Sequence, residues 1–123
     1  DVFQVWQRNI SDLARCPNVV VKVGGLGNPV SGFDWHTRPK PPTSQELTAA
    51  TSPYYLHAIE AFGPERCMFE SNFPVDKKSY SYSTVWNSFK QMTKNSSADE
   101  RRLLFHDAAA RAYRLPVLDE QKP

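Results

Sequence analysis

The sequence predicts an α/β fold that this chain contains only in part. Apolar residues at helical spacing alternate with short apolar runs, which is the pattern of parallel strands joined through helices. The runs Val19–Val23 and Cys67–Phe69 are almost continuously apolar, as in strands buried on both faces. These are the only two convincing strands, and two parallel strands cannot close a barrel or form a self-sufficient sheet. We therefore expect part of a larger fold.

Composition describes an ordinary globular domain and excludes two classes of partner. Of the 123 residues, 40% are hydrophobic and 23% are charged, and the net charge is +2. A charge this small and scattered gives no basic footprint for nucleic acid or for an anionic membrane surface. No apolar run approaches the roughly 20 residues that span a bilayer, and the first residues are unlike a secretory signal. We expect a cytoplasmic protein with neither partner.

The chain is predicted to begin with a helix, a strand and a glycine segment. Apolar residues at helical spacing predict a helix over Val2–Ala14, and Pro17-Asn18 ends it. In the strand Val19–Val23, Lys22 is the exception, and its amine either reaches a solvated rim or points into a polar interior. The segment Gly24-Gly25-Leu26-Gly27 closes the strand. It lacks the spacing of a dinucleotide fingerprint and no helix follows at once, so we reject that interpretation.

A long loop is predicted over residues 28–53, which are rich in Pro, Ser, Thr and Gly. Loops of this length are usually lids or linkers. The embedded aromatic residues Phe33 and Trp35, with His36, favour a loop that packs over a site.

The remaining helices are marked by their caps and breakers. One helix begins at Ser44 or at Ser52 and ends before Gly63-Pro64. Two more are predicted over residues 85–92 and 98–113, the second with an Asn/Ser/Asp-rich start and an apolar stripe.

Polar side chains follow the second strand at the point where it ends. Glu70, Ser71 and Asn72 come directly after Cys67–Phe69, and Pro74 ends the ladder because it has no backbone N–H. Ligands bind at the carboxyl ends of parallel strands, so this triplet is the predicted site. The alternative is that the triplet only caps a loop.

Three segments together carry a family resemblance: Asn18-Val-Val-Val-Lys22-Val-Gly-Gly25, Phe62-Gly-Pro-Glu-Arg66-Cys-Met-Phe-Glu-Ser71-Asn72-Phe-Pro74, and Ala109-Ala-Arg111-Ala-Tyr113-Arg-Leu115. They resemble the amidohydrolase-related family, the TIM-barrel metal-dependent hydrolases that include pyrone dicarboxylate lactonase. The resemblance covers residues 1–115 in order but corresponds only to the carboxyl-terminal third of such an enzyme. It predicts one segment over residues 1–115. Residues 116–123 are expected to form a flexible tail because they lie at the end of the chain.

The resemblance implies an incomplete (β/α)8 TIM-like barrel with a metal or reactive water at the carboxyl ends of its strands. The family's last strand ends in a Gly-Ser-Asp-x-Pro-like motif, whose Asp binds metal or acts as general base. Asn72 stands at that position here. A neutral amide offers an oxygen to a hard cation but cannot take a proton from water. The resemblance thus implies Asn72 as a ligand of a divalent zinc or manganese ion, without the usual base.

Two carboxylates are candidates for the missing base. Glu70 is preferred because strand alternation places positions 70 and 72 on one side, and Asp76 lies just beyond the turn. The alternative is that Glu70 only pairs with Arg66 or Lys77.

The predicted site therefore contains two catalytic residues, Glu70 and Asn72. Substrate-binding residues are predicted at Lys22, Trp35, His36, Ser71 and Phe73. The family's other metal ligands, a His-x-His pair and a further His, lie in parts that this chain lacks. The histidines His36, His57 and His106 do not have the spacing of a ligand set.

Two functions of different classes follow from these observations. The first is a hydrolase segment acting on a small ester, lactone or amide, in which an activated water attacks a carbonyl that Lys22 or Asn72 orients. It would be active only if the missing strands are supplied. The second is a non-catalytic assembly module, or a truncated relic of such a barrel. Both imply a partner chain or a homo-oligomer, because two sheet edges and the apolar faces of the helices would otherwise be exposed.

Overall fold

A computed structural model describes residues 1–116, so the predicted tail at 116–123 lies outside the described residues except for Pro116. Helices and short strands alternate along the chain. The elements are α1 (Val2–Ala14), β1 (Val21–Val23), α2 (Ser44–Phe62), β2 (Cys67–Phe69), α3 (Tyr82–Met92), α4 (Ala98–Arg102) and α5 (Ala108–Ala112). None of the helices within residues 1–116 is long and apolar enough to cross a membrane.

The two strands pair in parallel, as the sequence predicts for an α/β fold. Val21 lies opposite Cys67 and Val23 lies opposite Phe69, and α2 makes the connection between the strands. β2 is buried along its whole length, whereas β1 has only Val23 buried. The prediction of burial on both faces is therefore wrong for β1. It begins at Val21 instead of Val19, and its Lys22 is exposed.

The long loop is shorter than predicted, because α2 begins at Ser44. The Thr43 hydroxyl caps this helix by accepting a hydrogen bond from the Glu46 N–H at 3.1 Å. The helix then runs through Pro53, which removes one backbone donor. The helix packs against the core through a buried stripe, whose members are Leu47, Thr51, Tyr55, Ala58 and Phe62.

The single helix predicted over residues 98–113 is divided in the structure. A capping box between Ser97 and Glu100 starts α4, and a π-helical segment, Leu103–Asp107, separates α4 from α5. Phe105 in this segment packs against Phe69 of β2, with ring centroids 4.9 Å apart. The wider turn therefore lies where the helix meets the strand.

The core lies on the helix-covered side of β2. Phe69 stacks on Phe89 of α3 with ring centroids 4.2 Å apart, and Phe89 is 1% exposed. The Cys67 thiol points towards the Ala58 carbonyl of α2. These contacts fix the end of β2, from which the polar triplet continues.

Candidate active site

The carboxyl ends of the two strands lie against each other without an intervening side chain. The Glu70 N–H donates to the Val23 carbonyl at 3.0 Å, which extends the ladder one step past β2. A Cβ atom on Gly24 would overlap the Glu70 carbonyl oxygen, so only glycine allows this approach. The glycine that closes β1 therefore has a structural role at the site, unconnected with binding a dinucleotide.

Lys22 and Glu70 form an ion pair at these strand ends, with Lys22 Nζ 3.4 Å from Glu70 Oε2. The Glu70 carboxylate, and secondarily Tyr113, raises the pKa of Lys22 above its ordinary value, so the amine is cationic at neutral pH. Side-chain exposures of 53% and 25% leave both groups accessible to a small molecule. Of the alternatives for Glu70, pairing with Arg66 or Lys77 is wrong, because its ion pair is with Lys22.

Glu70 and Asn72 lie on one side, as predicted, but strand alternation is not the reason. Asn72 has a φ of 54°, a left-handed conformation that ends the extended chain. A Cβ atom on Gly25 would lie 3.7 Å from Glu70 Oε1 and 3.6 Å from Asn72 Nδ2. The turn at Asn72 thus brings the amide back towards the Glu70 carboxylate.

Asp76 accepts hydrogen bonds from several parts of this region. It is 0% exposed. Its carboxylate accepts hydrogen bonds from the Gly27 N–H at 3.1 Å, the Tyr80 hydroxyl at 2.8 Å and Asn72 Nδ2 at 2.7 Å. With its oxygens engaged and buried, Asp76 ties together the loops that follow β1 and β2. The structure therefore does not support Asp76 as a replacement base facing substrate.

The contact with Asp76 also explains why an amide side chain suits position 72. A carboxylate only accepts hydrogen bonds, so the amide must turn its Nδ2 towards Asp76, leaving Oδ1 for another partner. An aspartate at position 72 would place two carboxylates within hydrogen-bond distance, where both cannot remain ionised without a large cost. An asparagine is therefore the residue that suits this neighbour.

The predicted site residues divide between two cavities that share Phe73. One cavity has a volume of about 360 Å³ and is lined by Lys22, Met68, Phe69, Glu70, Ser71, Asn72, Phe73, Ala109 and Tyr113. Trp35 and His36 line the other, and Trp35 is buried against Phe33 at a centroid distance of 4.5 Å. Tyr113 was not predicted as a site residue, although it lies in one of the segments that carry the family resemblance.

Other titratable groups near the strands are held in their neutral forms. Burial raises the pKa of the Cys67 thiol to about 12, so this residue is not a thiolate nucleophile at neutral pH. Burial likewise raises the pKa of the Tyr80 hydroxyl, and its hydrogen bond to Asp76 adds to the effect. Tyr80 is thus a permanent donor to Asp76.

The described residues do not fit a complete metal centre of the kind the resemblance implies. Within residues 1–116, no three His, Cys, Asp or Glu side chains converge. His57 Nε2 lies 3.2 Å from Ser11 Oγ, and His106 Nδ1 lies 2.7 Å from Asp107. At the strand ends the Glu70 carboxylate is paired with the Lys22 ammonium group. Asn72 then contributes only one amide oxygen there, which is fewer ligands than a metal site needs.

Comparison with known proteins shows the family to which this chain is similar. The family model described as amidohydrolase matches residues 1–115. An L-fucono-1,5-lactonase from Burkholderia multivorans is 33% identical over 112 residues, which are 90% of this chain and 36% of that protein. The uncharacterized protein y4mH from Sinorhizobium fredii is 43% identical over 113 residues, which are 92% of this chain and 34% of that protein.

Solved structures show the same relationship. The crystal structure of an amidohydrolase from Burkholderia multivorans with bound zinc matches with a TM-score of 0.78 and 32% identity. The match covers 93% of this chain and 38% of that one, and a second crystal form with bound HEPES gives the same values. The chain thus spans about a third of the length of these relatives. The family match over residues 1–115 shows that this chain belongs to the amidohydrolase family.

Proposed function

We propose that this chain is the carboxyl-terminal part of a TIM-like barrel and supplies part of the active site of a lactone hydrolase. The carrying observation is the Lys22–Glu70 ion pair beside Asn72, at the carboxyl ends of two neighbouring parallel strands. Parallel α/β folds bind their ligands at these ends. Glu70 and Asn72 are the proposed catalytic residues, and Lys22, Ser71 and Phe73 are proposed to contact substrate.

Glu70 is the proposed general base. Its carboxylate accepts a proton from water as the water oxygen bonds to the lactone carbonyl carbon. The adjacent Lys22 ammonium donates a hydrogen bond to the carbonyl oxygen, on which negative charge develops. When the ring C–O bond breaks, the proton held by Glu70 passes to the ring oxygen, and a hydroxy acid is released. Asn72 Oδ1 is left to orient the water or a substrate hydroxyl, because Nδ2 donates to Asp76.

Two considerations favour a lactone over an amide. The related protein from Burkholderia multivorans is named as a lactonase, and it aligns over 90% of this chain. An alkoxide is also a better leaving group than an amide nitrogen, so it needs no strong general acid. A permanently cationic Lys22 gives up a proton reluctantly, which suits the ester chemistry better.

The activity is proposed for the completed fold and not for two strands alone. Within residues 1–116 the sheet consists only of β1 and β2, so the outer edge of each strand has no strand partner. We propose that further strands cover these edges, supplied by the same polypeptide, a partner chain or another copy. A divalent metal in the completed site would then take most of its ligands from outside the described residues. The alternative, an assembly module without activity, predicts the same edges but no turnover.

A substrate panel tests the proposal. We expect the protein to open aldono-1,4- and aldono-1,5-lactones, releasing acid well above the uncatalysed rate, and to be at least tenfold slower on a linear methyl ester and on the matching lactam. Proton release in a weakly buffered indicator assay measures all three classes. Equal, background rates for every compound, with a correctly folded protein by circular dichroism, would favour the assembly module.

A further inference from the structure

A second cavity, between the loop after β1 and the start of α3, has a basic lining. Its volume is about 670 Å³, within the usual range for small-molecule sites. Aromatic residues, among them Trp35, Phe73 and Tyr82, line part of it. Its described lining also contains three basic side chains, Arg38, Lys77 and Lys78, and no carboxylate. A net charge of only +2 for the whole chain makes this local excess notable.

The cations of this cavity are not engaged in ion pairs within residues 1–116. Arg38, Lys77 and Lys78 are exposed, and the ion pairs of the described residues involve other side chains. The neighbouring Asp76 forms no ion pair with them; its buried carboxylate accepts hydrogen bonds from Gly27, Asn72 and Tyr80. The three exposed side chains are therefore accessible to an anion in the cavity.

The start of α3 adds to the same field. Ser81, the N-cap, and Tyr82, the first residue of this 11-residue helix, both line the cavity. The Ser81 hydroxyl accepts from the Thr84 N–H, which leaves the earlier N–H groups of the first turn for another acceptor. The helix dipole is positive at this end and favours an anion there.

Aromatic side chains form the apolar part of the lining. Trp35 is 3% exposed and packs edge-on against Tyr80 at a centroid distance of 6.0 Å. The ring of Phe73 meets Tyr82 at 5.4 Å. The Tyr80 hydroxyl is turned inward to Asp76, so its ring, not its polar atom, is left to the cavity. Because Trp35 and Tyr80 are almost fully buried, the aromatic surface open to a flat apolar body is that of the partly exposed Phe73 and of Tyr82, which is 55% exposed.

We propose that this cavity binds a small organic anion, in which a carboxylate or phosphate group is carried on a flat, mostly apolar body. The acid group contacts Arg38, Lys77 and Lys78 near the start of α3, and the body lies on the aromatic residues. This cavity adjoins the one at the Lys22–Glu70 pair through Phe73, which lines both, but binding of the anion does not depend on hydrolysis. Trp35 and His36, which the sequence predicts to bind substrate, line this cavity and not the one at the Lys22–Glu70 pair.

Calorimetric titration with benzoate, phenyl phosphate and the uncharged benzyl alcohol tests the proposal. We expect both anions to bind at least tenfold more tightly than benzyl alcohol, and the affinity to fall with added salt. The triple variant Arg38→Gln, Lys77→Gln, Lys78→Gln should lose at least tenfold in affinity. A control with the same charge change elsewhere, Arg8→Gln, Lys90→Gln, Lys94→Gln, should change affinity less than twofold.

The comparison of the two anions identifies the acid group. Tighter binding of benzoate assigns a carboxylate, and tighter binding of phenyl phosphate assigns a phosphate. Equal weakening by the two triple variants would overturn the proposal, because it would show a general effect of net charge. Binding of benzyl alcohol as tight as that of the anions would overturn it as well.

Discussion

Replacing Asp76 by alanine is expected to lower the free energy of unfolding by about 3 kcal/mol, because three donors lose a buried, charged acceptor together. The donors are the Gly27 N–H, the Tyr80 hydroxyl and Asn72 Nδ2. The Gly27 and Tyr80 hydrogen bonds are buried, so these two donors would be left without an acceptor, whereas the partly buried Asn72 amide retains access to water. The loops that follow β1 and β2 would also lose the hydrogen bonds through which Asp76 joins them, so Asn72 would no longer be held beside Glu70.

Denaturant unfolding of the protein, followed by circular dichroism, measures this loss. Asp12→Ala is a matched control, because Asp12 is exposed and pairs only with Arg15 at 3.7 Å. That substitution should change stability by less than about 0.5 kcal/mol. An Asp76→Ala variant as stable as Asp12→Ala would show that the hydrogen bonds to Asp76 do not hold the two loops.

Replacing Arg66 by methionine is expected to cost about 2 to 3 kcal/mol, because its guanidinium group fastens the start of β2 to the end of α1. Its N–H groups donate to the carbonyls of Phe62, Cys16, Val19 and Ala14, at 3.1, 3.0, 3.2 and 2.8 Å respectively. The Ala14 carbonyl lies at the carboxyl end of α1, where a cation is also favoured by the helix dipole. Methionine keeps much of the volume but supplies none of these donors.

Two further variants separate the contribution that the hydrogen bonds of Arg66 make to stability from the contribution of its charge and from a general effect of removing an arginine. Arg66→Lys keeps the cation but lacks the planar fork, so it should recover less than half of the lost stability. Arg15→Met removes an arginine whose side chain is 83% exposed and should have almost no effect. Full stability of Arg66→Lys would mean that charge alone, and not the set of directed hydrogen bonds, joins α1 to β2.

The sequence predicted the elements that depend on local patterns. The apolar run Cys67–Phe69 and the glycines after Val23 indicated both strands, and the structure confirms their parallel pairing. The extent of α2 was less predictable, since the sequence offered both Ser44 and Ser52 as starts. In the structure the helix begins at Ser44, with Thr43 as its N-cap, and its buried stripe begins at Leu47.

The site was only partly predictable because its contacts join distant parts of the chain. The pairing of Lys22 with Glu70 follows from the strand register, which the sequence does not specify. Asp76 stands between Val75 and Lys77 and looks like an exposed acid. Its burial depends on Tyr80 and on the backbone of Gly27, which reach it only after folding. Asn72 is of a residue type that adopts a positive φ more readily than most, but its identity alone does not show that the chain turns there.

The separation of Trp35 from Glu70 has a similar cause. The loop after β1 was predicted to cover a single site, but Trp35 stacks on Phe33 and is buried towards Tyr80. This packing places the loop over the second cavity, next to Phe73. Sequence shows that aromatic residues are present in a loop, whereas the side they face depends on tertiary packing.

The proposed role of Glu70 as the general base of a lactone hydrolase can be tested by the ratio of kcat/KM between Glu70→Gln and Glu65→Gln. Both substitutions remove one carboxylate, and Glu65 lies in the exposed turn before β2. Loss of a general base lowers rates by about 10² to 10⁴-fold, so we predict that Glu70→Gln retains at most a hundredth of the activity of Glu65→Gln. Equal activity of the two variants on the best lactone would show that Glu70 is not the general base.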